Sequence, residues 1–259
     1  YEIYQCDWSS DVCSSDLARS ALERFGDRAR VVHAAFGDLT ETVRRETEGD
    51  IVGILFDLGV SSPQLDRRSR GFSYWDDAPL DMRMDSSQSL TAAEVVNTYE
   101  VEDLTTIIAT YGEERFASRI AREIVARRPL ATTGDLVDAI KDAIPAPARR
   151  KGGHPARRTF QAIRMEVNRE LPSLAQGLDE SVHLLKPEGR VAVLAYHSLE
   201  DRVVKERFAE WSRTEAQGYV PKGLPREART PLTRLITRKA MKPTAAEIER
   251  NPRIGRAHV

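Results

Sequence analysis

An almost continuous apolar run that ends in a carboxylate is the feature that most constrains the fold. Asp50 to Asp57 reads DIVGILFD, which is typical of a parallel strand buried on both faces. Arg190 to Tyr196 (RVAVLAY) repeats that form after a turn predicted at Lys186–Gly189, and Arg30 to Phe36 (RVVHAAF) is a shorter β-branched run. Because helical segments separate these strands, the sequence predicts an α/β fold with a parallel sheet.

Helical periodicity fills the intervals between the strands. Asp38 to Glu41 has the spacing of a capping box that opens a helix. The long stretch between the predicted strands Asp50–Asp57 and Arg190–Tyr196 has helical character. We predict a further capping box at Thr91–Glu94 and helices over Glu113–Arg127, Asp135–Ile144 and Thr159–Leu185. The last of these contains Pro172, which is expected to kink or divide it.

The two ends look unlike the middle of the chain. Ser9 to Asp16 (SSDVCSSD) has no periodicity and resembles translated linker sequence from DNA library preparation, as does Ile254 to Val259. A disordered tail is the alternative for the first segment. We therefore expect a foreign or disordered tail at 1–16, the first part of the main domain at 17–88, a helical insert at 89–158, its second part at 159–253, and a foreign tail at 254–259.

Composition excludes several classes of protein. Apolar residues make up 41% of the chain, enough to bury a core. No apolar run approaches the roughly 20 residues that cross a bilayer, and no secretory signal is readable, so we expect a cytoplasmic protein without a membrane anchor. Cys6 and Cys13 have no second ligand pair, which argues against zinc or a structural disulfide; no metal is expected.

Basic residues are unevenly distributed although the net charge is −1. Arg202 to Arg256 holds 14 basic and 6 acidic residues, and Arg149 to Arg158 (RRKGGHPARR) has five basic residues and no carboxylate. A solvated charged face is one interpretation; a surface that contacts phosphates is the other. The candidates for phosphate contact are Arg149, Arg150, Arg157, Arg158 and Arg164.

Two strand ends carry candidate site residues, because ligands of open α/β sheets bind at the carboxyl ends of the strands. Asp57 opens the segment DLGVSSPQLD, although a strand-end aspartate also commonly caps a turn. His197 directly follows the predicted strand Arg190–Tyr196, in YHSLEDR. There it could handle a proton near neutral pH or serve a structural role.

Three aromatic residues lie among charges in RGFSYWDDAPLDMRMD, Arg70 to Asp85. Phe72, Tyr74 and Trp75 could stack on an unpaired base, or they could pack the helical insert onto the rest of the protein. The sequence leaves both interpretations open.

Six segments, in this order, resemble the RsmH (MraW) family of S-adenosylmethionine-dependent methyltransferases of bacterial 16S rRNA. The matching segments are DLGVSSPQLD (Asp57 to Asp66), RGFSYWDDAPLDMRMD (Arg70 to Asp85), YGEERFASRIAR (Tyr111 to Arg122), HPARRTFQAIRMEVNREL (His154 to Leu171), YHSLEDRVVK (Tyr196 to Lys205) and NPR (Asn251 to Arg253). Together they are far more specific than any one of them.

The resemblance implies a class I, Rossmann-like methyltransferase sheet with an inserted helical subdomain. It implies S-adenosyl-L-methionine as cofactor, contacted by Phe36, Asp57 and Gln64. The implied reaction is methylation of the exocyclic N4 of a cytidine at the decoding centre, with 16S rRNA or the small ribosomal subunit as partner. Asp57 and His197 are the hypothetical catalytic residues.

The sequence also departs from the family pattern. It lacks the glycine-rich turn with Gly-Gly-His, the following acid that holds the cofactor's ribose, and the last strand that follows Asn251 to Arg253 in the family. We therefore expect an incomplete sheet, weak cofactor binding and an inactive fragment of a longer enzyme. A catalytically dead RNA-binding module is the main alternative. A DNA amino-methyltransferase is disfavoured because Asp57-Leu58-Gly59-Val60 replaces the Asp/Asn-Pro-Pro-aromatic motif, and a dinucleotide oxidoreductase because Gly-x-Gly-x-x-Gly is missing.

Overall fold

A computed structural model describes residues 2–6, 18–59, 70–149, 153–215, 228–237, 241 and 243–250. The chain divides into two compact units. The helical unit comprises Tyr1–Ala35 and Val60–Glu170, and the sheet unit comprises Phe36–Gly59 and Leu171–Val259. Within the described ranges, every helix is too short or too polar to cross a membrane.

Four strands and ten α-helices are assigned in the described residues. The strands are β1 Glu2–Cys6, β2 Ala29–His33, β3 Ile51–Asp57 and β4 Leu185–Leu194. The helices are α1 Leu39–Glu46, α2 Ala92–Thr98, α3 Val101–Gly112, α4 Ala117–Ala126, α5 Thr133–Ala143, α6 Ala146–Arg149, α7 Arg157–Val167, α8 Glu170–Leu184, α9 Ser198–Trp211 and α10 Ala245–Arg250. A short helical segment at 18–22 and two 3-10 helices, Glu23–Arg28 and Phe36–Asp38, complete the regular structure.

Parallel pairing of the two apolar strands is confirmed. β3 pairs with β4 in register from Ile54↔Val191 to Asp57↔Leu194. The strand predicted at Arg30 to Phe36 also forms, as β2, but it pairs in parallel with β1 rather than with β3. β1 lies inside the segment 1–16, where the sequence analysis predicted no strand.

The turn predicted at Lys186–Gly189 is wrong. These residues lie within β4, and the register shifts between Ile51 and Gly53, which pair with Leu185 and Arg190. Glu188 adopts a positive φ of 66°. The Pro-Glu-Gly segment is therefore accommodated as a bulge in one strand, because extra residues on one side of a ladder bend that strand without ending the pairing.

Burial of β3 on both faces is also wrong. Val52 is 59% exposed and Leu55 61% exposed, whereas Phe56 is buried. A parallel strand is buried on both faces only when a wider sheet carries helices on each side. In the described part of the chain the β3–β4 sheet has only two strands, so its apolar side chains are less buried than those of a wider sheet.

The main hydrophobic core lies in the helical unit. It is built from α2 to α5 and α7, with Leu104, Ile108, Ile120 and Ile163 fully buried. A Cβ at Gly112 would lie 2.7 Å from the carbonyl oxygen of Arg158, so α3 and α7 approach closely only because this position is glycine.

The predicted long helix over Thr159–Leu185 is two helices. It is divided at Asn168 and Arg169, whose φ is +49°, and not at Pro172. Pro172 lies in the first turn of α8, where a missing N–H and a φ near −65° are tolerated. The break leaves α7 in the helical unit, which extends to Glu170. The insert bounds of 89–158 stay a prediction.

Of the two predicted capping boxes, one forms. Thr91 and Glu94 bond reciprocally at the start of α2. Asp38 precedes α1 without a side-chain cap, and the N–H of Thr40 donates to Glu180 Oε2 at 2.7 Å. A tertiary partner on α8 thus replaces the local cap, which sequence spacing alone does not reveal.

Candidate functional site

The carboxyl ends of β3 and β4 lie side by side in the sheet unit. Asp57 pairs with Leu194, and the N–H of Leu58 donates to the carbonyl of Leu194 at 3.1 Å. The chain then leaves both strands at the same edge, which is where ligands bind in open α/β sheets. This confirms the location in which the sequence analysis placed Asp57.

Asp57 forms a direct pair with an aromatic residue from the neighbouring strand end. The hydroxyl of Tyr196 donates a hydrogen bond to Asp57 Oδ1 at 2.7 Å. Asp57 is exposed and Tyr196 is 40% exposed, so this pair faces solvent. The contact orients one carboxylate oxygen and leaves the other free of any described side-chain hydrogen bond, able to accept one from an amine.

Sequence reasoning did not select Tyr196 as a site residue. The signal was present, because Tyr196 follows β4 as closely as the Asp57 segment follows β3. Gly59 belongs to the same cluster: its φ is +100°, and a Cβ there would lie 3.2 Å from the Tyr196 ring. The turn after β3 therefore requires glycine so that the tyrosine ring can lie against it.

His197 caps helix α9. Its Nδ1 accepts the N–H of Glu200 at 3.4 Å, while Glu200 Oε2 accepts the N–H groups of Tyr196 at 2.8 Å and His197 at 3.2 Å. Nε2 of His197 lies 3.0 Å from Glu200 Oε1 without the alignment of a hydrogen bond. Both ring nitrogens thus lie against Glu200, and the capping role is the one this conformation supports.

Phe36 packs in the core of the sheet unit. Its ring meets Phe56 edge-on at 5.3 Å, and a Cβ at Gly177 would lie 2.8 Å from the Phe36 carbonyl oxygen. Gln176 donates to the carbonyl of Gly37 at 2.7 Å and fixes the same turn. Phe36 is therefore a buried neighbour of the residue that precedes Asp57, positioned by α8.

The basic segment, Arg149 to Arg158, belongs to the helical unit. Three of its arginines that were predicted to contact phosphate lie among the described residues, on the surface. Arg149 ends α6, and Arg157 and Arg158 begin α7, all exposed. Arg158 donates to the carbonyl of Glu113 at 3.1 Å. Two arginines in a first helical turn oppose the helix dipole, an arrangement that a bound anion would relieve.

Arg164 differs from the other predicted arginines. Its guanidinium makes two hydrogen bonds to the carboxylate of Glu170, at 2.7 and 3.0 Å. Its side chain is 17% exposed and that of Glu170 9%. The guanidinium N–H groups that would bind a phosphate are bound to the Glu170 carboxylate. In this conformation Arg164 therefore holds α7 to the start of α8.

The aromatic segment divides between the two interpretations left open above. Phe72 is buried and Tyr74 packs against the core of the helical unit, whereas Trp75 is 75% exposed. Tyr74 stacks on His154 with ring centroids 4.6 Å apart and planes at 12°. Packing thus accounts for two of the three aromatics and leaves Trp75 unexplained.

Comparison with known proteins identifies the family. The model of the MraW methylase family matches residues 5–259. The chain is 52% identical to "Ribosomal RNA small subunit methyltransferase H" of Mycobacterium sp. (strain KMS) over 237 residues, which cover 92% of this chain and 64% of the relative. The proteins of the same name from Thermobifida fusca and Symbiobacterium thermophilum are 48% and 50% identical, with 76% and 75% of their lengths covered.

The chain belongs to the MraW methylase family. The predicted resemblance is confirmed, and with it the class I methyltransferase fold class. The chain spans 64% of the length of the mycobacterial relative named above. Of the predicted cofactor contacts, Phe36 and Asp57 lie in the sheet unit, while Gln64 lies outside the described residues, as do Arg150 and Asn251 to Arg253.

A pair of substitutions at His197 tests its capping role in this family member. His197→Ala removes the cap of α9 and is expected to lower the free energy of unfolding by about 1 kcal/mol, while His197→Asn restores it because asparagine also caps helices. Chemical denaturation followed by circular dichroism measures both. Loss of stability in His197→Ala with full recovery in His197→Asn would confirm the capping role, and equal stability of all three proteins would reject it.

Proposed function

We propose that the chain carries the methyl-transfer site of a bacterial small-subunit rRNA methyltransferase. The acceptor is the exocyclic N4 of a cytidine in the decoding centre of 16S rRNA, and the methyl donor is S-adenosyl-L-methionine. The observation that carries this proposal is the exposed Asp57 carboxylate at the end of β3, held by the hydroxyl of Tyr196 at 2.7 Å. Its support beyond geometry is membership of the MraW methylase family and the names of its relatives, which describe small-subunit rRNA methyltransferases.

The residues present suit a cofactor and an amine acceptor at this edge. S-Adenosyl-L-methionine, when bound, supplies an electrophilic methyl group on a sulfonium. A cytidine N4 is a poor nucleophile because its lone pair is conjugated into the ring. Asp57 accepts a hydrogen bond from that amine, which favours a pyramidal nitrogen, and Tyr196 keeps the carboxylate in place. In the net reaction the nitrogen gains a methyl group and loses one proton, and the sulfonium becomes a neutral thioether.

Two groups are proposed to handle that proton. Asp57 is the nearest acceptor if the amine lies against its second oxygen. His197 orients the base or relays the proton once its side chain leaves Glu200, a movement that would uncap α9. Phe36 and Gln64 complete the proposed cofactor contacts, the first through the turn that α8 positions. The reaction is placed in the cytoplasm, where the rRNA is.

The rRNA contact is proposed at the basic segment. Arg149, Arg157 and Arg158 are exposed, and Arg150 adjoins them in the sequence. Charged forks of this kind bind phosphates and make binding depend on salt. Arg164 contributes by holding α7 through Glu170 rather than by contacting phosphate.

The first test is a calorimetric titration of S-adenosyl-L-methionine into two proteins. One is this chain, and the other is the same core with a family-type glycine-rich N-terminus and C-terminal strand added. We propose that this chain binds the cofactor weakly and is inactive, because its sequence lacks the Gly-Gly-His turn whose N–H groups bind cofactor. Binding only by the completed protein supports the proposal, and equally tight binding by both refutes the need for that turn.

A catalytically dead RNA-binding module is the second candidate function. The observation in its favour is that exposed arginines of the basic segment accompany a sequence without the cofactor turn. Lack of cofactor binding by both folded proteins would favour this candidate over the enzyme. If both cofactor and RNA bind, methylation of isolated small subunits, compared with naked RNA and DNA, decides the acceptor.

A further inference from the structure

Trp75 is the most exposed aromatic residue among those whose side chains are described, at 75%. Burial of the large apolar surface of an indole is favourable. An indole that remains exposed to water on an ordered main chain therefore suggests a binding role. The main-chain N–H of Trp75 donates to the hydroxyl of Ser73 at 3.1 Å, and that hydroxyl lies 3.4 Å from Asp76 Oδ2. The exposed ring is thus presented by a turn with its own hydrogen bonds.

Trp75 is the outermost ring of a small aromatic cluster. The indole lies 4.8 Å from the His154 ring and 5.3 Å from Tyr74. Tyr74 stacks on His154 and meets buried Phe160 edge-on at 5.8 Å. The cluster therefore runs from the core of the helical unit to the surface and supports the indole from behind.

His154 acts in this cluster as a neutral ring. Burial lowers its pKa from the ordinary value, and the nearby charge of Lys141 lowers it further. Its Nδ1 accepts the N–H of Ala156 at 3.3 Å. A neutral imidazole stacked on Tyr74 gives Trp75 an aromatic support rather than a cation.

Cations flank this cluster within the basic segment. His154 lies inside the segment Arg149 to Arg158, which has five basic residues and no carboxylate. A Cβ at Gly153 would lie 3.7 Å from Nη1 of Arg157, so that guanidinium lies against the residue next to His154. An apolar ring face beside positive charge complements a strand whose bases are unstacked and whose phosphates are close by.

We propose that Trp75 is a stacking platform for an unpaired nucleobase of RNA whose phosphates contact the described arginines of the basic segment, Arg149, Arg157 and Arg158. The proposal rests on the proposed rRNA substrate and adds a base contact to it. Charge alone would bind duplex and single strands alike, whereas an exposed indole selects a base that has left its stack. The contact is expected to tolerate every base, because each has an aromatic face.

The test measures binding of a fluorescein-labelled single-stranded RNA of about 12 nucleotides by anisotropy. Trp75→Ala is expected to weaken binding by roughly 5- to 160-fold, which corresponds to the loss of the aromatic partner of one stacked base. Trp75→Phe should retain most of the affinity. Val52→Ala, which truncates another exposed apolar residue of the chain, should have no effect. Circular dichroism and thermal unfolding of each variant confirm that the fold is retained.

A second arm separates stacking from charge. Trp75→Ala should leave binding of a matched RNA duplex and the salt dependence of binding unchanged, while Arg157→Ala lowers affinity for both RNAs and reduces the salt dependence. Normal single-strand binding by Trp75→Ala, with the expected loss in Arg157→Ala, would overturn the platform and leave the proposed function standing. Equal weakening of duplex and single strand by Trp75→Ala would also overturn it. If the unsubstituted chain binds neither RNA, both the platform and the proposed RNA contact fail.

Discussion

Replacing Asp57 with asparagine is expected to lower methyl transfer by about 100-fold or more, the usual contribution of a positioned proton acceptor. Asparagine keeps the size of the side chain and still accepts the hydrogen bond from Tyr196, which measures 2.7 Å in the native pair. It cannot take up a proton, and it presents an N–H₂ group where the carboxylate would accept from the amine. Transfer of labelled methyl groups to small ribosomal subunits by the completed protein measures the rate.

Two control variants make that result specific. Asp50→Asn changes the carboxylate at the other end of the same strand segment, where Asp50 lies 3.8 Å from Lys186 and is largely exposed, and it should leave the rate unchanged. Tyr196→Phe removes the orienting hydroxyl and should lower the rate by less than Asp57→Asn, because the carboxylate remains. An unchanged rate in Asp57→Asn would remove Asp57 from the chemistry.

The origin of the effect is found by comparing cofactor affinity with rate. If Asp57 acts on the acceptor amine, the dissociation constant of S-adenosyl-L-methionine stays within a few-fold of the native value while the rate at saturation falls. If Asp57 mainly holds the cofactor, the dissociation constant rises instead and the saturated rate recovers. The two outcomes assign different partners to the same carboxylate oxygen.

The part of the site that could be predicted from sequence depends on strand periodicity. The apolar run that ends at Asp57 and its repeat before Tyr196 fix a parallel pair, and parallel strands bring their carboxyl ends to one edge. This geometry was sufficient to place Asp57 correctly and would also have placed Tyr196. It could not reveal that the two side chains bond, because side-chain pairing depends on the turn at Gly59 and on its positive φ.

The remaining differences arise where a distant partner overrides a local signal. Asp38 has capping spacing, but Thr40 bonds Glu180 on another helix. Arg164 lies near the arginines that the sequence predicts to contact phosphate, yet its guanidinium binds Glu170 six residues later. Sequence spacing gives the local option and not the competing tertiary contact, so predictions of caps and free cations are the ones that failed or changed.

The break between α7 and α8 is another case in which tertiary contacts override a local pattern. Here the contacts contribute more to the free energy of unfolding. The apolar spacing continues from Phe160 to Leu178, and both residues are buried, so periodicity predicts one helix. The break instead falls at Asn168, a buried residue that is 2% exposed. A single amide with tertiary partners therefore ends the helix that the apolar pattern would extend.

Asn168→Ala is expected to lower the free energy of unfolding by about 3 kcal/mol, because it deletes buried hydrogen bonds to main-chain groups. The amide of Asn168 accepts the N–H of Met84 at 2.6 Å and donates to the carbonyls of Met82 and Arg164, each at 2.8 Å. It thereby fastens the segment before α2 to the end of α7. Urea denaturation followed by circular dichroism measures the loss, and hydrogen exchange at the Met84 amide should become faster.

Gln161→Ala is the matched comparison on the same helix. That amide donates to the carbonyl of Tyr111 at 3.2 Å and to the weak acceptor Met165 Sδ at 3.8 Å, and it is only partly buried. Its loss should therefore cost about 1 kcal/mol. Equal losses in the two variants would mean that Asn168 contributes no more than an ordinary amide. A larger loss for Asn168, with faster exchange at Met84, would identify it as the residue that holds Leu80 to Met84 (LDMRM) against the helical core. Leu80, Met82 and Met84 are all buried there.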